Sequence, residues 1–133
     1  MVSMLTPPTA MPAPLFGSLQ TTQFSMYLLS LGSGQDIPNP SAAQVDVALR
    51  SLIGGPDAFV VLSATEDGNT YIQTAGGPNE GFILEYQDGA LEEHYECTTG
   101  NLELEQVVAA FRAYLLGDAS WRANHTWRKM HIA

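Results

Sequence analysis

Residues 58–98 read AFVVLSATEDGNTYIQTAGGPNEGFILEYQDGALEEHYECT, four strand-like runs separated by turn residues. Ala58–Thr65 is apolar and rich in β-branched residues, as a central strand requires. Glu66-Asp67-Gly68-Asn69 predicts a hairpin, because Asp-Gly accepts the positive φ of a tight turn. Thr70–Ala75 returns, Gly76-Gly77-Pro78-Asn79 makes a wider connection, and Gly81–Gln87 is the third strand. Asp88-Gly89 is a second tight-turn signal, and Ala90–Thr98 reads as the fourth strand. Alternation puts Leu91, Glu93, Tyr95 and Cys97 on one face of that strand, and Glu92, His94 and Glu96 on the other. So acidic a strand is expected at an edge or against solvent, since inward unpaired carboxylates are costly.

Helical signals flank this interval. Ser41 follows Asn39-Pro40 and is joined by Gln44 three positions on, which makes a capping box. Val45, Ala48, Leu49, Leu52 and Ile53 then form one apolar stripe, and Gly54-Gly55-Pro56 stops the helix. A second helix is predicted over about 102–116, capped by Asn101, with Glu103 and Glu105 in the first turn where the helix dipole favours anions. Its stripe is Leu104, Val107, Val108, Phe111 and Leu115, and Gly117 ends it. Gln23–Leu31 is apolar on both alternating faces, so periodicity does not separate strand from short helix, with strand the preferred reading. The expected fold is α+β: an antiparallel β-meander of four or more strands packed with two amphipathic helices, whose stripes cover one sheet face.

Residues 1–22 read as a Pro-rich tail and residues 23–133 as a single α+β domain. Leu15, Phe16 and Leu19 are the expected anchors of the tail, on its own domain or on a second copy as a homodimer contact. Residues 1–20 contain no Lys or Arg, and their prolines break any apolar core of a secretory leader. No apolar run approaches the roughly 18 residues of a membrane span. A single cysteine, Cys97, fits a reducing compartment, so a cytoplasmic location is expected.

The formal net charge is −9, and Ser51 to Phe111 holds eleven Asp or Glu with no Lys or Arg. A surface this one-sided repels phosphate backbones, which argues against nucleic-acid binding. It attracts a basic partner and speeds encounter, although the same charge also serves plain solubility.

The search for catalytic or metal chemistry returns little. His94 and Cys97 are three apart on a strand and point to opposite faces, and a zinc site needs about four convergent ligands. Glu92 and Glu96 share a face but lie about 13 Å apart at roughly 3.3 Å per residue, beyond the usual range for paired carboxylates. Gly76-Gly77-Pro78 lacks the Lys and Ser/Thr of a phosphate loop and precedes a strand. No cofactor or metal is expected. An enzyme reading requires His94 to meet His125 or His131 in a polar pocket. Trp121 and Trp127 read as packing residues or, at an exposed edge, as interface anchors.

The order of motifs is similar to a known family. It runs Ile37-Pro38-Asn39-Pro40-Ser41, Tyr71-Ile72-Gln73-Thr74-Ala75-Gly76-Gly77, Gly81-Phe82-Ile83-Leu84-Glu85-Tyr86 and His94-Tyr95. It closes on Phe111-Arg112-Ala113-Tyr114-Leu115-Leu116-Gly117-Asp118, Trp121-Arg122 and Trp127. Over roughly residues 37–128 the chain resembles the Imm1-type bacterial immunity proteins of polymorphic toxin systems. The resemblance implies a non-enzymatic protein that neutralises a cognate toxin, often a nucleic-acid deaminase, by direct binding. The expected contact residues are Glu85, Asp88, Glu92, Glu93 and Glu96, an acidic mimic of phosphate, together with Trp121 and Trp127. Glu85 is placed with them because it alternates away from Phe82 and Leu84 towards solvent. The competing reading is a homo-oligomeric structural or regulatory module.

Overall fold

The computed structural model describes residues 27–53, 58–77 and 79–131. In chain order the elements are β1 (Leu28–Leu31), β2 (Asp36–Pro38), α1 (Ala42–Arg50), β3 (Phe59–Ser63), β4 (Thr70–Gly77) and β5 (Gly81–Asp88). A single 3-10 turn (Leu91–Glu93), β6 (His94–Cys97), α2 (Leu104–Leu116), α3 (Ser120–Ala123) and β7 (Trp127–Lys129) complete them. The strands form one seven-stranded sheet in the order β2-β1-β3-β4-β5-β6-β7, antiparallel at every pairing. The predicted α+β meander is present, and it continues past the four expected strands at both ends.

Strand alternation assigns the two faces. Leu29 pairs with Leu62, Leu62 with Ile72, Ile72 with Tyr86 and Tyr86 with Tyr95, so these five side chains share one face. That face carries the helices. Val45, Ala48, Leu49 and Leu52 of the first helical segment join Val107, Val108, Phe111 and Tyr114 of α2 in one cluster with the inward strand residues. Arg50 to Glu105, at 2.9 Å, and Arg112 to Asp46, at 3.2 Å, tie the two helices at their exposed rims. Such exposed pairs contribute little beyond alignment. Among the described residues no helix covers the opposite face.

Local chemistry explains most element boundaries. The Ser41 capping box forms as expected: Gln44 N–H donates to Ser41 Oγ (3.1 Å) and Ser41 N–H donates to Gln44 Oε1 (2.8 Å). The helix ends at Arg50, so Ile53, expected in the stripe, is exposed instead. The second helix starts later than predicted. Asn101 adopts φ 57°, and Leu102 exchanges backbone hydrogen bonds with Phe82 at 2.9 and 3.3 Å. Both residues are therefore occupied outside the helix, and Glu103 caps it in place of Asn101, with Gln106 completing the box. Gly81 must be glycine there. Its φ is 83°, and a Cβ would collide with the Asn101 backbone.

The strand predicted from Ala90 is also corrected. Glu93 N–H donates to Ala90 C=O at 2.9 Å, closing the 3-10 turn, and the strand begins only at His94. Gly89 N–H donates to Asn69 C=O across the sheet end instead of closing a two-residue hairpin. β1 accounts for the end of the ambiguous stretch Gln23–Leu31 as a strand, and residues 23–26 lie outside the described residues. The expected tail of residues 1–22, with its anchors Leu15, Phe16 and Leu19, also lies outside them. No helix among the described residues is long and apolar enough to cross a membrane.

Candidate functional site

The seven residues expected at a partner surface fall in three separate places. Glu85 and Glu96 face each other on the open side of the sheet. Neither is a free carboxylate. Arg128 grips Glu96 Oε2 through Nη2 (2.5 Å) and Nε (3.1 Å). Glu85, expected to face solvent freely, is 16% exposed, and its Oε1 lies 2.7 Å from His94 Nε2 while accepting from Gln73 Nε2 at 3.0 Å.

His94, which alternation puts on the face of Glu92 and Glu96 in a strand expected at an edge or against solvent, is 3% exposed. Tyr71, Gln87 and Glu85 enclose it. Its Nδ1 lies 3.1 Å from Gln87 Oε1 and 3.3 Å from the Tyr71 hydroxyl. Gln87 Nε2 donates to Asn69 C=O at 3.2 Å, which orients the amide so that its oxygen faces the imidazole. Burial, and then the charge of Glu85, raises the Tyr71 phenol. This network satisfies polar groups on a sheet face that lacks a helix. It was not visible in the sequence because it depends on the register Tyr71–Gln87–His94 across three strands.

Glu93 sits on the other side. Its carboxylate accepts from the Tyr95 hydroxyl at 2.7 Å and from Lys129 Nζ at 3.1 Å. The Tyr95 bond and then Lys129 hold the Glu93 carboxyl below its ordinary range, and the same contact raises the Tyr95 phenol. Trp121 and Trp127 are packing residues. Both meet the buried Tyr86 ring edge-on, at 5.0 and 4.8 Å, while Tyr95 stacks on it at 4.9 Å. Arg122 lies over the same ring at 5.0 Å, and Trp127 Nε1 donates to Arg122 C=O at 2.9 Å. His125 packs against Trp127 in this flank, on the far side of the sheet from His94. Among the described residues no group of three or more His, Cys, Asp or Glu is placed to hold a metal ion.

Asp88 and Glu92 remain. Both are exposed and make no salt bridge with a described residue. They lie at one end of the sheet, which we call the acidic pole. Thr70 pairs with Asp88, so the Thr65–Asn69 turn and the Asp88-Gly89 turn are neighbours. That adds Glu66 and Asp67. Asp67 Oδ1 accepts from Thr65 Oγ1 (2.6 Å) and Asn69 N–H (2.9 Å), which hold its carboxyl below the ordinary range. The end of α2 brings Asp118 to the same pole, where Tyr27 donates to Tyr114 C=O at 3.4 Å. Desolvation, the nearby Tyr27 phenol and the Asp88 carboxylate push the Tyr114 phenol far up.

A cleft of about 340 Å³ opens beside these turns, lined by Tyr27, Leu28, Pro38, Ser63, Thr65 and Glu66, with Gly68 at its rim. Of the five basic residues, Arg50, Arg112, Arg128 and Lys129 are in salt bridges and Arg122 lies over Tyr86; Lys129, paired with Glu93, also feels the neighbouring Glu92 carboxylate. No described Lys or Arg forms a salt bridge with Glu66, Asp67, Asp88, Glu92 or Asp118, so the pole is net negative. Among the described residues, Asp36, Glu80 and Glu103 are the other carboxylates outside salt bridges, and they lie along the opposite end. Glu66, Asp67 and Asp118 were missed as site residues. The repeated Asp-Gly signal at 67–68 and 88–89 was available, but nothing local says that the two turns are adjacent.

No family model matches the chain, and no curated protein or solved structure matches it.

Proposed function

We propose that this chain is a non-enzymatic binding protein whose acidic pole engages a basic protein, and that the partner is a cognate bacterial toxin which it neutralises. The carrying observation is the gathering of Glu66, Asp67, Asp88, Glu92 and Asp118 at one end of the sheet, none of them in a salt bridge with a described residue, with Glu66 lining a cleft there. Such a pole raises local cation concentration and steers association with a positively charged face. A toxin acting on nucleic acid presents that kind of face along its substrate channel. The resemblance to Imm1-type immunity proteins supplies the toxin part of the reading, including the nucleic-acid deaminase class. In this reading Asp88 and Glu92 make contacts, and Glu85, Glu93 and Glu96 build the scaffold through internal pairs. Trp121 and Trp127 support the pole from the aromatic flank.

The test is to express the neighbouring gene with and without this chain. Toxicity rescued by co-expression is expected, with at least a tenfold slower association rate for the triple variant Glu66→Gln, Asp88→Asn, Glu92→Gln. A harmless neighbour, or toxicity without rescue, overturns the reading.

A homo-oligomeric module is the second reading, favoured by Phe59 (44% exposed) and Ile83 (54% exposed) on the open face. Sedimentation of the wild-type chain beside Phe59→Ser, Ile83→Ser decides it: a dimer that the variant dissolves supports it, and a concentrated wild-type monomer removes it.

A further inference from the structure

An apolar groove of about 290 Å³ runs between the free edge of the sheet and the first helix. Leu31 and Ile37 line it from the β1–β2 hairpin, and Ala43, Val47 and Ala48 from α1. Gln35 and Gln44 are its polar residues, and no charged side chain lines it. Val47 is 71% exposed although it is apolar and one turn from the capping box. It stands off the buried stripe of its helix, beside the groove.

The edge beside the groove is poorly suited to accept another strand. Leu31 N–H donates to Gln35 C=O, and Asn39 N–H donates to Tyr27 C=O, so residues 35, 37 and 39 turn their backbone groups inward. Asp36 and Pro38 turn theirs outward, and proline offers no donor. An occupant is therefore held by side-chain burial more than by a ladder. It must also be uncharged, because a charge desolvated against Leu31, Ile37 and Val47 is costly.

The chain itself contains such a segment. Residues 1–26 hold no Asp, Glu, Lys, Arg or His, in a protein of net charge −9. They join the fold at Tyr27, whose C=O accepts from Asn39 at the end of β2. From there the groove extends back along β2 towards Gln35, a span of about 10–13 Å at roughly 3.3 Å per residue. Gln20-Thr21-Thr22-Gln23 is a polar stretch that allows reversal, and Leu15-Phe16-Gly17-Ser18-Leu19 precedes it. Leu19 lies eight positions before Tyr27, a reach of up to about 26 Å. The connection is long enough without strain.

We propose that Leu15–Leu19 seat in this groove on their own chain, with Phe16 and the flanking leucines against Leu31, Ile37 and Val47. Burying one such aromatic side chain removes a large apolar area from water, and the covalent link keeps the closure cost small. The seat is independent of the toxin reading.

The experiment uses the full chain with Cys97→Ser and a nitroxide on Ser18→Cys, read by amide resonances. Broadening of Ala43, Gln44 and Val47 is expected, and Val47→Asp should abolish it while leaving the spectrum dispersed. Val47 is exposed, so that variant keeps its fold. Broadening centred on Phe59 and Ile83, broadening at the cleft beside Glu66, or none at all overturns the proposal. So does broadening that survives in a mixture of spin-labelled, isotopically unlabelled chains with labelled chains lacking the nitroxide, since the occupant is then a second copy.

Discussion

The two faces of the sheet use the same strands and alternate residues, yet they hold together by different physics. The helix face buries Leu29, Val60, Leu62, Ile72, Phe82 and Leu84 against two helices. The open face places Tyr71, Gln73, Glu85, Gln87 and His94 in one hydrogen-bond network and leaves Phe59 and Ile83 in solvent. Apolar burial scales with area and tolerates no void. A polar network instead prevents the cost of unmet groups and contributes little beyond that. The helix face is thus the source of stability, and the open face contributes less to it.

The largest test of this contrast is Phe111→Ala. Phe111 is fully buried at the centre of α2, and its truncation should cost about 3–5 kcal/mol. Denaturant unfolding measures it, and a loss under 1 kcal/mol would mean that the helix face is not the core. His94→Leu is next on the scale. It keeps volume on the open face but removes the ring nitrogens that meet Glu85 and Gln87, and should cost about 1–3 kcal/mol. A neutral result would show that the network is dispensable. Ile83→Ser changes an exposed residue on β5 and should stay within about 0.5 kcal/mol. Destabilisation beyond that would reveal a cover over the open face.

The smallest effect is electrostatic. Glu93 titrates below its ordinary value because Tyr95 and then Lys129 hold its ionised form. A lowered folded value means that its contribution is complete above the ordinary carboxylate range and is lost as pH falls through the folded value. Carboxyl-carbon NMR should show this titration moving upward in Lys129→Ala and further upward in Tyr95→Phe. An unchanged titration in both variants would break the assignment.

Legibility varied by element. The β3–β4 and β4–β5 hairpins were readable because alternation and turn chemistry are local, and so was the Ser41 capping box. The start of α2 was misread because Leu102 pairs with Phe82, a contact that no window of sequence contains. β7 was missed for a similar reason. Trp127–Lys129 is a strand only because Tyr95 and Cys97 lie opposite it. The candidate surface was half legible: Asp88 and Glu92 stay exposed, while Glu85, Glu93 and Glu96 are taken up by His94, Lys129 and Arg128.

The sequence by itself determined that the chain is acidic, that a meander lies between two amphipathic helices, and where most of its turns fall. These follow from composition, periodicity and the φ preferences of a few residues, all of them short-range properties. Only the tertiary structure decided that His94 is enclosed, which carboxylates find cations, and that the turns at Asp67 and Asp88 form one pole. Those outcomes depend on register across strands, which brings together residues far apart in the chain and sets their distances to within a hydrogen bond.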